Sequence, residues 1–332
     1  MTTLTQNRDV AGIVVERNGG PDVLEAQTLS LPAPGDGEVL VRHEMIGVNF
    51  VDIYRRRGDD PVPVPFTPGM EATGVVEAIG PDVTDFQPGD RVAYARWQGS
   101  YAQAAVVPVD SLIPLPEDIS FEQAAAFPMQ GITAHYLIHE FRKPAPGDVV
   151  LVHAAAGGVG LMLVQFARHY GARVIGTVSS QAKADAAREA GAHEVINYTE
   201  QDFADEVLRL TDGHGADLII DGVGKATFGG DLRAVAKHGN IVVFGAASGP
   251  AEPFSPGILI GGSRTVSGGD VADGIGTHEE LLARATDIIE GIRAGWLASR
   301  IYATLPLSDA AQAHRFLEDR QTIGKILLST GD

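Results

Sequence analysis

The chain has 332 residues, 25 lysines and arginines against 43 aspartates and glutamates, a formal net charge of −18 at pH 7, and no cysteine. At roughly 100 to 200 residues per domain, this length predicts two domains, each with a core of its own. The charge disfavours nucleic acid and anionic membranes as partners, and the lack of cysteine excludes disulfides and thiolate metal sites.

The sequence predicts neither export nor a membrane span. The first 20 residues lack the basic stretch, apolar core and small-residue cleavage site of a secretory signal. Residues 149–167 are mostly apolar, but His153, Gln165 and three glycines interrupt them, so a strand, a turn and a helix explain the run better than a span. Together with the missing cysteines, this favours a cytoplasmic protein.

The first part of the chain is rich in valine, proline and glycine and predicts strands. Alternating runs at residues 38–42, 74–80 and 91–94 have the pattern of strands. Residues 58–71 are rich in proline, which lacks an amide donor, and predict a loop. Ser120 followed by Gln123 before an alanine run is a capping box, so a helix begins there and a domain boundary lies nearby.

From about residue 147, strands and helices alternate, which predicts a parallel sheet covered by helices on both faces. The expected elements are a strand at 149–153, a helix at 158–169, a strand at 173–178, a helix at 181–190, a strand at 194–197, a helix at 202–211, a strand at 216–221, a helix at 226–237 and a strand at 240–245. Beyond residue 270 we expect helices at 279–294 and 308–318 and a final apolar run at 324–328.

The small residues between the first of these strands and its helix resemble a dinucleotide-binding turn. Residues 155–160 read Ala-Ala-Gly-Gly-Val-Gly, which is the fingerprint G-x-G-x-x-G with alanine at the first glycine position. A pyrophosphate must approach the backbone and accept amide hydrogens at the positive end of the helix, where larger side chains would block it. The alternative is a tight turn that binds nothing; the flanking strand and helix favour the dinucleotide.

The end of the second strand predicts which dinucleotide binds. Enzymes selective for NAD usually place a carboxylate about 20 residues beyond the glycines, on the ribose 2′-hydroxyl. Here the strand ends in Ser179 and Ser180, and Lys183 follows. Hydroxyls and an ammonium attract a 2′-phosphate, whereas a carboxylate repels it. We therefore predict NADPH as the cofactor; the alternative is that Lys183 only decorates a helix surface.

These residues belong to a longer pattern. Gly147-Asp148, Leu151, the turn at 155–160, Gln165 and Arg168 resemble the signature of the quinone oxidoreductase and zeta-crystallin branch of the medium-chain dehydrogenase/reductases. The resemblance extends over nearly the whole chain, through residues 19–24, 47–54, 130–134, 197–198 and 324–325. It implies an α/β protein with a GroES-like β-barrel catalytic domain at 1–125 and 270–332. A Rossmann domain with a doubly wound parallel sheet is implied at 126–269, with cofactor and substrate in the cleft between the two domains.

The resemblance also implies a residue set for each part of the cofactor. The nicotinamide end would be lined by Asn49, Tyr54 and Thr133. The pyrophosphate would contact Ala156, Gly157, Gly158, Val159 and Gly160, and the 2′-phosphate Ser179, Lys183 and Tyr198. Phe244, Gly245 and Lys325 would also reach the cofactor. Tyr54 is the catalytic candidate, as a hydrogen-bond donor to the acceptor oxygen, with solvent as the alternative proton source; a packing, capping or surface role is the alternative for several of these residues.

The zinc sites of the larger superfamily are expected to be absent. The catalytic zinc of such relatives uses a cysteine and a Gly-His-Glu motif, and the structural zinc uses four cysteines; this chain has no cysteine and reads Gly69-Met70-Glu71. Methionine is a poor zinc ligand, and a lone glutamate cannot fill a site that needs about three protein ligands. His135 and His139 have helical spacing but no assigned third ligand, so we interpret them as surface or core residues.

Without metal or thiol, the expected chemistry is hydride transfer from the nicotinamide to an electron-poor acceptor. We therefore predict an NADPH-dependent quinone reductase. The alternatives are a reductase of α,β-unsaturated carbonyls and a non-catalytic, crystallin-like NADPH-binding protein. Many relatives have a tyrosine where this chain has Asp60, which leaves the substrate open, and Phe66 is a candidate for the missing aromatic surface.

The resemblance finally implies a homodimer. Such relatives pair through the edge strand of the Rossmann sheet, which we expect here at residues 264–267. An unpaired sheet edge favours this kind of pairing.

Overall fold

The computed structural model describes residues 7–331 and divides into two compact units. The first unit contains the described residues up to Met129, together with Thr277–Ala285 and the described residues from Ser299 onward. The second unit contains Gln130–Gly276 and Thr286–Ala298.

Strands occur in both units. In chain order they are β1 (Arg8–Val15), β2 (Leu24–Leu31), β3 (Glu38–Val48), β4 (Glu71–Ile79), β5 (Arg91–Ala95), β6 (Ala104–Pro108), β7 (Leu112–Pro114), β8 (Val149–Val152), β9 (Arg173–Val178), β10 (Glu194–Asn197), β11 (Ala216–Asp221), β12 (Val235–Val243), β13 (Thr265–Gly268), β14 (Ile301–Pro306) and β15 (Lys325–Ser329).

The α-helices are mostly short. They are α1 (Phe50–Arg57), α2 (Phe121–Ala125), α3 (Pro128–Glu140), α4 (Gly158–His169), α5 (Gln181–Glu189), α6 (Phe203–Leu210), α7 (Phe228–Ala234), α8 (Val271–Gly274), α9 (His278–Arg293) and α10 (Ala310–Glu318). Within residues 7–331, no helix combines the length and the apolar character needed to span a bilayer.

The second unit is built on a six-stranded sheet within the described chain, ordered β10-β9-β8-β11-β12-β13, with every neighbouring pair parallel. Numbered along the chain, this order is 3-2-1-4-5-6, that of the Rossmann fold. All residues of β8 and β11 are buried, because helices cover both faces of a parallel sheet. The prediction of a doubly wound parallel sheet is confirmed.

One predicted helix is wrong in its extent. Residues 226–237 were expected to be helical, with a strand at 240–245, but α7 ends at Ala234 and β12 begins at Val235. Val235 pairs with Ala216 of β11, and the register shifts before Leu218 pairs with Asn240. His238 takes a left-handed φ of 63° in this bulge. The β-branched Val235 therefore extends the sheet instead of continuing the helix.

The first unit contains a mostly antiparallel sheet, ordered β14-β15-β3-β4-β5-β7, with β6 also paired to β3. Strand β3 pairs with β4, β6 and β15 and therefore links the amino-terminal strands to the last strand of the chain. Strands β1 and β2 form a separate antiparallel pair. The predicted capping box is confirmed at the start of α2, where Ser120 Oγ accepts from the N–H of Gln123 at 3.1 Å.

The contacts divide the chain differently from the predicted boundaries near its carboxyl-terminal end. The sequence placed all of 270–332 in the first domain, whereas residues up to 276 and 286–298 lie in the second unit. The physical reason is a set of side-chain contacts within that unit. Asp287 bonds His135 at 3.0 Å, Ala298 bonds Gln165, and Trp296 stacks on His169 with ring centroids 3.9 Å apart.

Candidate functional site

The glycine-rich turn lies between β8 and α4 in the second unit. Gly157 is the N-cap of α4, and no side chain caps the helix there, so the first amides of the helix are oriented toward an incoming acceptor. A Cβ at Gly160 would lie 2.3 Å from the Ala154 carbonyl oxygen, and one at Gly158 would lie 1.7 Å from Gln130 Oε1. The turn is therefore closed to larger residues at Gly160, where the neighbour is backbone, whereas at Gly158 only the end of the Gln130 side chain would have to move. The bare backbone of the turn fits a pyrophosphate. Ala156 is buried and Val159 is half-buried beside these glycines.

Helix α3 brings Thr133 toward the same turn. Gln130 lies in contact range of Gly158, and Thr133 follows Gln130 by three residues, which places both on one face of the helix. Thr133 is half-buried. The structure thus gathers Thr133 and residues 156–160 in one region of the second unit.

The residues predicted for the 2′-phosphate follow neighbouring strands. Ser179 comes directly after β9, and Lys183 Nζ donates to Ser179 Oγ at 3.3 Å. Tyr198 follows β10, its backbone N–H bonds Val178 of β9 at 3.1 Å, and its side chain is exposed. An ammonium and a hydroxyl in contact, without a carboxylate between them, form an environment suited to a phosphate.

Phe244 and Gly245 follow β12 at the same carboxyl edge of the sheet. Phe244 packs so closely on Gly222 that a Cβ there would lie 2.6 Å from its ring. A Cβ on Gly245 would lie 2.8 Å from the Gly222 carbonyl oxygen. Ligands of Rossmann sheets bind at this edge, so the second unit places every cofactor residue predicted within it around one edge.

In the first unit, Asn49 and Lys325 meet on a third residue, Glu71. Asn49 Nδ2 donates to Glu71 Oε1 at 2.6 Å, and Asn49 Oδ1 accepts from Lys325 Nζ at 2.8 Å. Lys325 also pairs with Glu71 Oε1, and Glu71 Oε2 accepts from the N–H of Met129 at 2.7 Å. The Lys325 and Glu71 side chains are 1% and 0% exposed. The surrounding hydrogen bonds offset the cost of desolvating this buried ion pair.

A second buried network begins at Asp52 in the first turn of α1. Asp52 Oδ2 accepts from the N–H of Asn49 at 2.8 Å and from the Tyr101 hydroxyl at 3.2 Å, while Oδ1 has no partner within the described residues. Burial raises the pKa of Asp52 to about 7. Tyr101 also contacts His314 Nε2 at 3.0 Å, and Arg56 Nη1 donates to His314 Nδ1 at 3.1 Å. Burial, and then the charge of Arg56, lowers the pKa of His314 to about 3, so its neutral ring accepts from Arg56 and donates to Tyr101.

Tyr54 lies in α1, one turn and a half beyond Asn49, and is half-buried beside Phe50, with ring centroids 6.2 Å apart. The next residue, Arg55, donates to Asp60 at 2.9 Å and to Gln98 at 3.0 Å. The aspartate at the position of the expected tyrosine is therefore held in an ion pair.

The suggestion that Phe66 supplies aromatic surface is wrong. Phe66 is 8% exposed and packs in a small core cluster with Val15 and Val23, and its backbone bonds Val15 in both directions. The apolar ring is buried in the first unit because it covers the end of β1.

The two candidate metal-binding histidines have other partners. His135 and His139 stack with ring centroids 3.9 Å apart; His135 Nε2 bonds Asp287, and His139 Nε2 bonds the Tyr170 hydroxyl at 2.7 Å. In the part of the chain that the structure describes, no group of three or more His, Asp or Glu side chains is arranged to hold a metal ion.

Besides the network of Asp52, Tyr101 and His314, two sets of polar residues escaped prediction from the sequence. Glu71 was considered only as an insufficient zinc ligand, although it joins Asn49 to Lys325. The other set lies beneath the glycine-rich turn, where His153 bonds Asp231 at 2.7 Å. The sequence does contain a signal for the second set, because His153 directly follows a fully apolar strand. A buried polar side chain needs hydrogen-bond partners, so such a histidine predicts polar residues nearby.

Comparisons with known proteins agree with this architecture. Residues 35–117 match the family model of the alcohol dehydrogenase GroES-like domain, and residues 158–287 match that of the zinc-binding dehydrogenases. A quinone oxidoreductase of Pseudomonas aeruginosa is 42% identical over 313 residues, which cover 93% of this chain and 96% of the relative. A 2-haloacrylate reductase of a Burkholderia species is 39% identical over 328 residues, or 96% of this chain and 98% of the relative.

A solved structure of a relative has the same fold over nearly the whole chain. The Escherichia coli quinone oxidoreductase complexed with NADPH superimposes with a TM-score of 0.93 at 37% identity, covering 96% of this chain and 99% of that chain. The GroES-like and Rossmann fold classes expected from the sequence are confirmed. The chain belongs to the quinone oxidoreductase branch of the medium-chain dehydrogenase/reductase family.

Proposed function

We propose that this chain is an oxidoreductase that binds NADPH and reduces a quinone. The observation that carries the proposal is the turn at 156–160, whose helix end has no side-chain cap and whose Gly160 leaves no room for a Cβ. The contact between Lys183 and Ser179 supports NADPH rather than NADH, because an ammonium compensates the charge of a 2′-phosphate. Relatives named quinone oxidoreductase support the acceptor.

In this proposal the chain's own residues bind and orient, and NADPH, when bound, supplies the hydride. The amides at the start of α4 hold the pyrophosphate, and Ser179, Lys183 and Tyr198 hold the adenosine phosphate. Asn49, Tyr54 and Thr133 remain predicted residues of the nicotinamide end, with Tyr54 as a hydrogen-bond donor to the acceptor oxygen. Lys325 remains predicted to reach the cofactor. Orientation of both reactants is the main contribution that such a site makes to the rate.

A second acceptor class is favoured by a specific comparison. The 2-haloacrylate reductase at 39% identity acts, by its name, on an electron-poor alkene. Hydride addition to such an alkene needs the same activated acceptor as quinone reduction, so an α,β-unsaturated substrate is the second candidate. A crystallin-like protein that binds NADPH without turnover is the third.

Steady-state NADPH oxidation with a panel of quinones, 2-alkenals and 2-haloacrylates distinguishes the three candidates. We expect kcat/KM for at least one quinone to exceed that for every alkene by about tenfold or more, a difference of about 1.4 kcal/mol in transition-state stabilisation. Higher kcat/KM with alkenes would replace the quinone proposal by the second candidate. A rise in melting temperature with NADPH, without turnover on any acceptor, would leave only the binding role.

We also propose that the protein is a cytoplasmic homodimer that pairs through β13. This strand ends the six-stranded sheet, and the preceding segment exposes Phe254, Ile258 and Ile260, whose exposed fractions are 37%, 49% and 81%. An open strand edge beside exposed apolar side chains supports pairing with a second copy.

A further inference from the structure

Beneath the glycine-rich turn lies a fully buried group of titratable side chains that the proposed function does not use. His153 directly follows β8, Asp221 ends β11, and Asp231 lies in α7. The His153 and Asp231 side chains are each 0% exposed, and Asp221 is equally buried. Thr177 of β9 is 1% exposed and completes the group.

The hydrogen bonds of this group fix the orientation of the His153 ring. Nε2 lies 2.7 Å from Asp231 Oδ1, and Nδ1 lies 2.9 Å from Thr177 Oγ1. The ring of Phe203, from α6, packs edge-on against the imidazole at 4.8 Å. The imidazole is thus held by residues of β9, α7 and α6.

The carboxylates of the group act on the pKa of the imidazole. Burial opposes a charge on His153, but the carboxylates of Asp231 and Asp221 outweigh it and raise the histidine pKa. The pKa of Asp231 is raised to about 6, first by burial and also by the nearby Asp221, although His153 lowers it. Nε2 and Asp231 Oδ1 share one hydrogen bond, and Nδ1 and the Thr177 hydroxyl share the other.

Two members of the group, His153 and Thr177, lie just before segments predicted to hold the cofactor. The turn begins at Ala154, whose φ of +49° is unusual for a residue with a side chain, and Ala155 N–H bonds the Thr177 carbonyl at 3.1 Å. Asp221 Oδ1 accepts from the N–H groups of Val223 and Gly224 at 2.7 and 3.1 Å. One buried network therefore ties together the loops that follow β8, β9 and β11.

We propose that His153, bonded to Thr177 and Asp231, is a positioning residue that holds the glycine-rich turn in the conformation that binds the dinucleotide. The inference rests on the proposed NADPH binding and concerns its geometry. Because the network acts on the turn and not on the 2′-phosphate, its loss weakens NADPH and NADH equally.

The test measures two quantities for the wild type and for each variant. Fluorescence titration gives the dissociation constants of NADPH and NADH, and thermal unfolding gives the melting temperature. Thr177→Val removes the hydroxyl but keeps the shape, Thr177→Ser restores the hydroxyl, and Asp231→Asn removes the charge but keeps an acceptor. We expect Thr177→Val and Asp231→Asn each to raise Kd about tenfold for both NADPH and NADH, and Thr177→Ser to bind like the wild type. The double variant Thr177→Val with Asp231→Asn binds no more weakly than the worse single variant, because both act through His153.

The matched control is Thr211→Val. Thr211 is also buried, its hydroxyl donates to Val207 at 2.7 Å and accepts from the Gly215 N–H at 2.9 Å, and it lies after α6, before β11 begins. We expect this variant to lower the melting temperature at least as much as Thr177→Val while leaving both dissociation constants unchanged. Unchanged Kd values for Thr177→Val and Asp231→Asn, or equal losses in the control, overturn the inference. A wild type that binds neither dinucleotide refutes the proposed function instead.

Discussion

In the proposed function, Lys183 contributes to cofactor selectivity, and its substitution is the most direct test at the scale of a single residue. Lys183→Glu places a carboxylate beside Ser179, where an ammonium now lies at 3.3 Å. The variant loses a charge-assisted hydrogen bond and gains repulsion, so we expect the Kd for NADPH to rise about 100-fold, a loss of about 3 kcal/mol. NADH, which has no 2′-phosphate, should change less than about threefold. Fluorescence titration with both dinucleotides measures the difference.

Lys237→Glu provides the control for Lys183→Glu, since Lys237 is an exposed lysine of β12 in the same unit. It makes the same change in net charge, and we expect both dissociation constants to stay at the wild-type values. Equal weakening of NADPH and NADH by Lys183→Glu would exclude this lysine from the phosphate site.

Residues that act together over short sequence distances were predictable, and distant pairs were not. Ser179 and Lys183 are four residues apart, so a strand end followed by a helix start already places them together. Lys325 meets Glu71 across 254 residues and Asn49 across 276. No local pattern encodes such a pairing, because it depends on how β3, β4 and β15 assemble into one sheet. The family resemblance therefore predicted Asn49 and Lys325 as cofactor residues without the glutamate that joins them.

At the scale of elements, the strand-turn-helix at β8 and α4 depends on close approach of its own backbone. In Gly160→Ala the added Cβ would lie 2.3 Å from the Ala154 carbonyl oxygen, so the turn must open. We expect a loss of about 1 to 3 kcal/mol in the free energy of unfolding, the usual cost of overpacking. We also expect weaker binding of both dinucleotides. Chemical denaturation and fluorescence titration measure the two effects.

Gly229→Ala is the matched variant for Gly160→Ala. Gly229 lies in α7, and a Cβ there would meet nothing within 4 Å. Alanine in a helix loses less conformational entropy on folding than glycine, so we expect a gain of roughly 0.5 to 1 kcal/mol and unchanged binding. If Gly160→Ala were as stable as Gly229→Ala, the turn would have room that the backbone distances exclude.

Element type was more predictable than element extent. The alternation after residue 147 predicted the order of strands and helices, because apolar period and helix caps are local signals. The end of α7 and the start of β12 at Val235 were not predictable from local pattern. They depend on a register shift that pairs Val235 with Ala216 of β11. Tertiary pairing overrides local propensity at such a boundary.

At the scale of the whole molecule, strands from distant parts of the described chain join one sheet. Strands β14 and β15 extend the sheet that β3, β4 and β5 begin, and only the family resemblance predicted that the carboxyl-terminal segment completes the first domain. The parallel sheet of the second unit was derivable from the alternation itself, because consecutive strand-helix-strand units assemble in few ways. No comparable local rule predicts that strands far apart in sequence, such as β15 and β3, pair in an antiparallel sheet.

The proposed homodimer makes the last prediction at this scale. Ile260 is 81% exposed in the segment that precedes β13, so a substitution there leaves the core of each subunit intact. In a symmetric interface Ile260→Asp introduces two charges at once, and each would be buried without a partner. We expect the dimer dissociation constant to rise at least about 100-fold, since burying an uncompensated charge costs several kcal/mol.

Analytical ultracentrifugation over a range of concentrations measures the change, and the melting temperature of the dissociated variant verifies that it folds. Val64→Asp is the control, because Val64 is an apolar side chain, 43% exposed, in the first unit; it should sediment like the wild type. A wild type that sediments as a monomer at micromolar concentration would refute the dimer itself. A dimer unaffected by Ile260→Asp would instead exclude the interface at β13. A carboxylate at position 260 is tolerated in the dimer only if no second copy covers this exposed side chain.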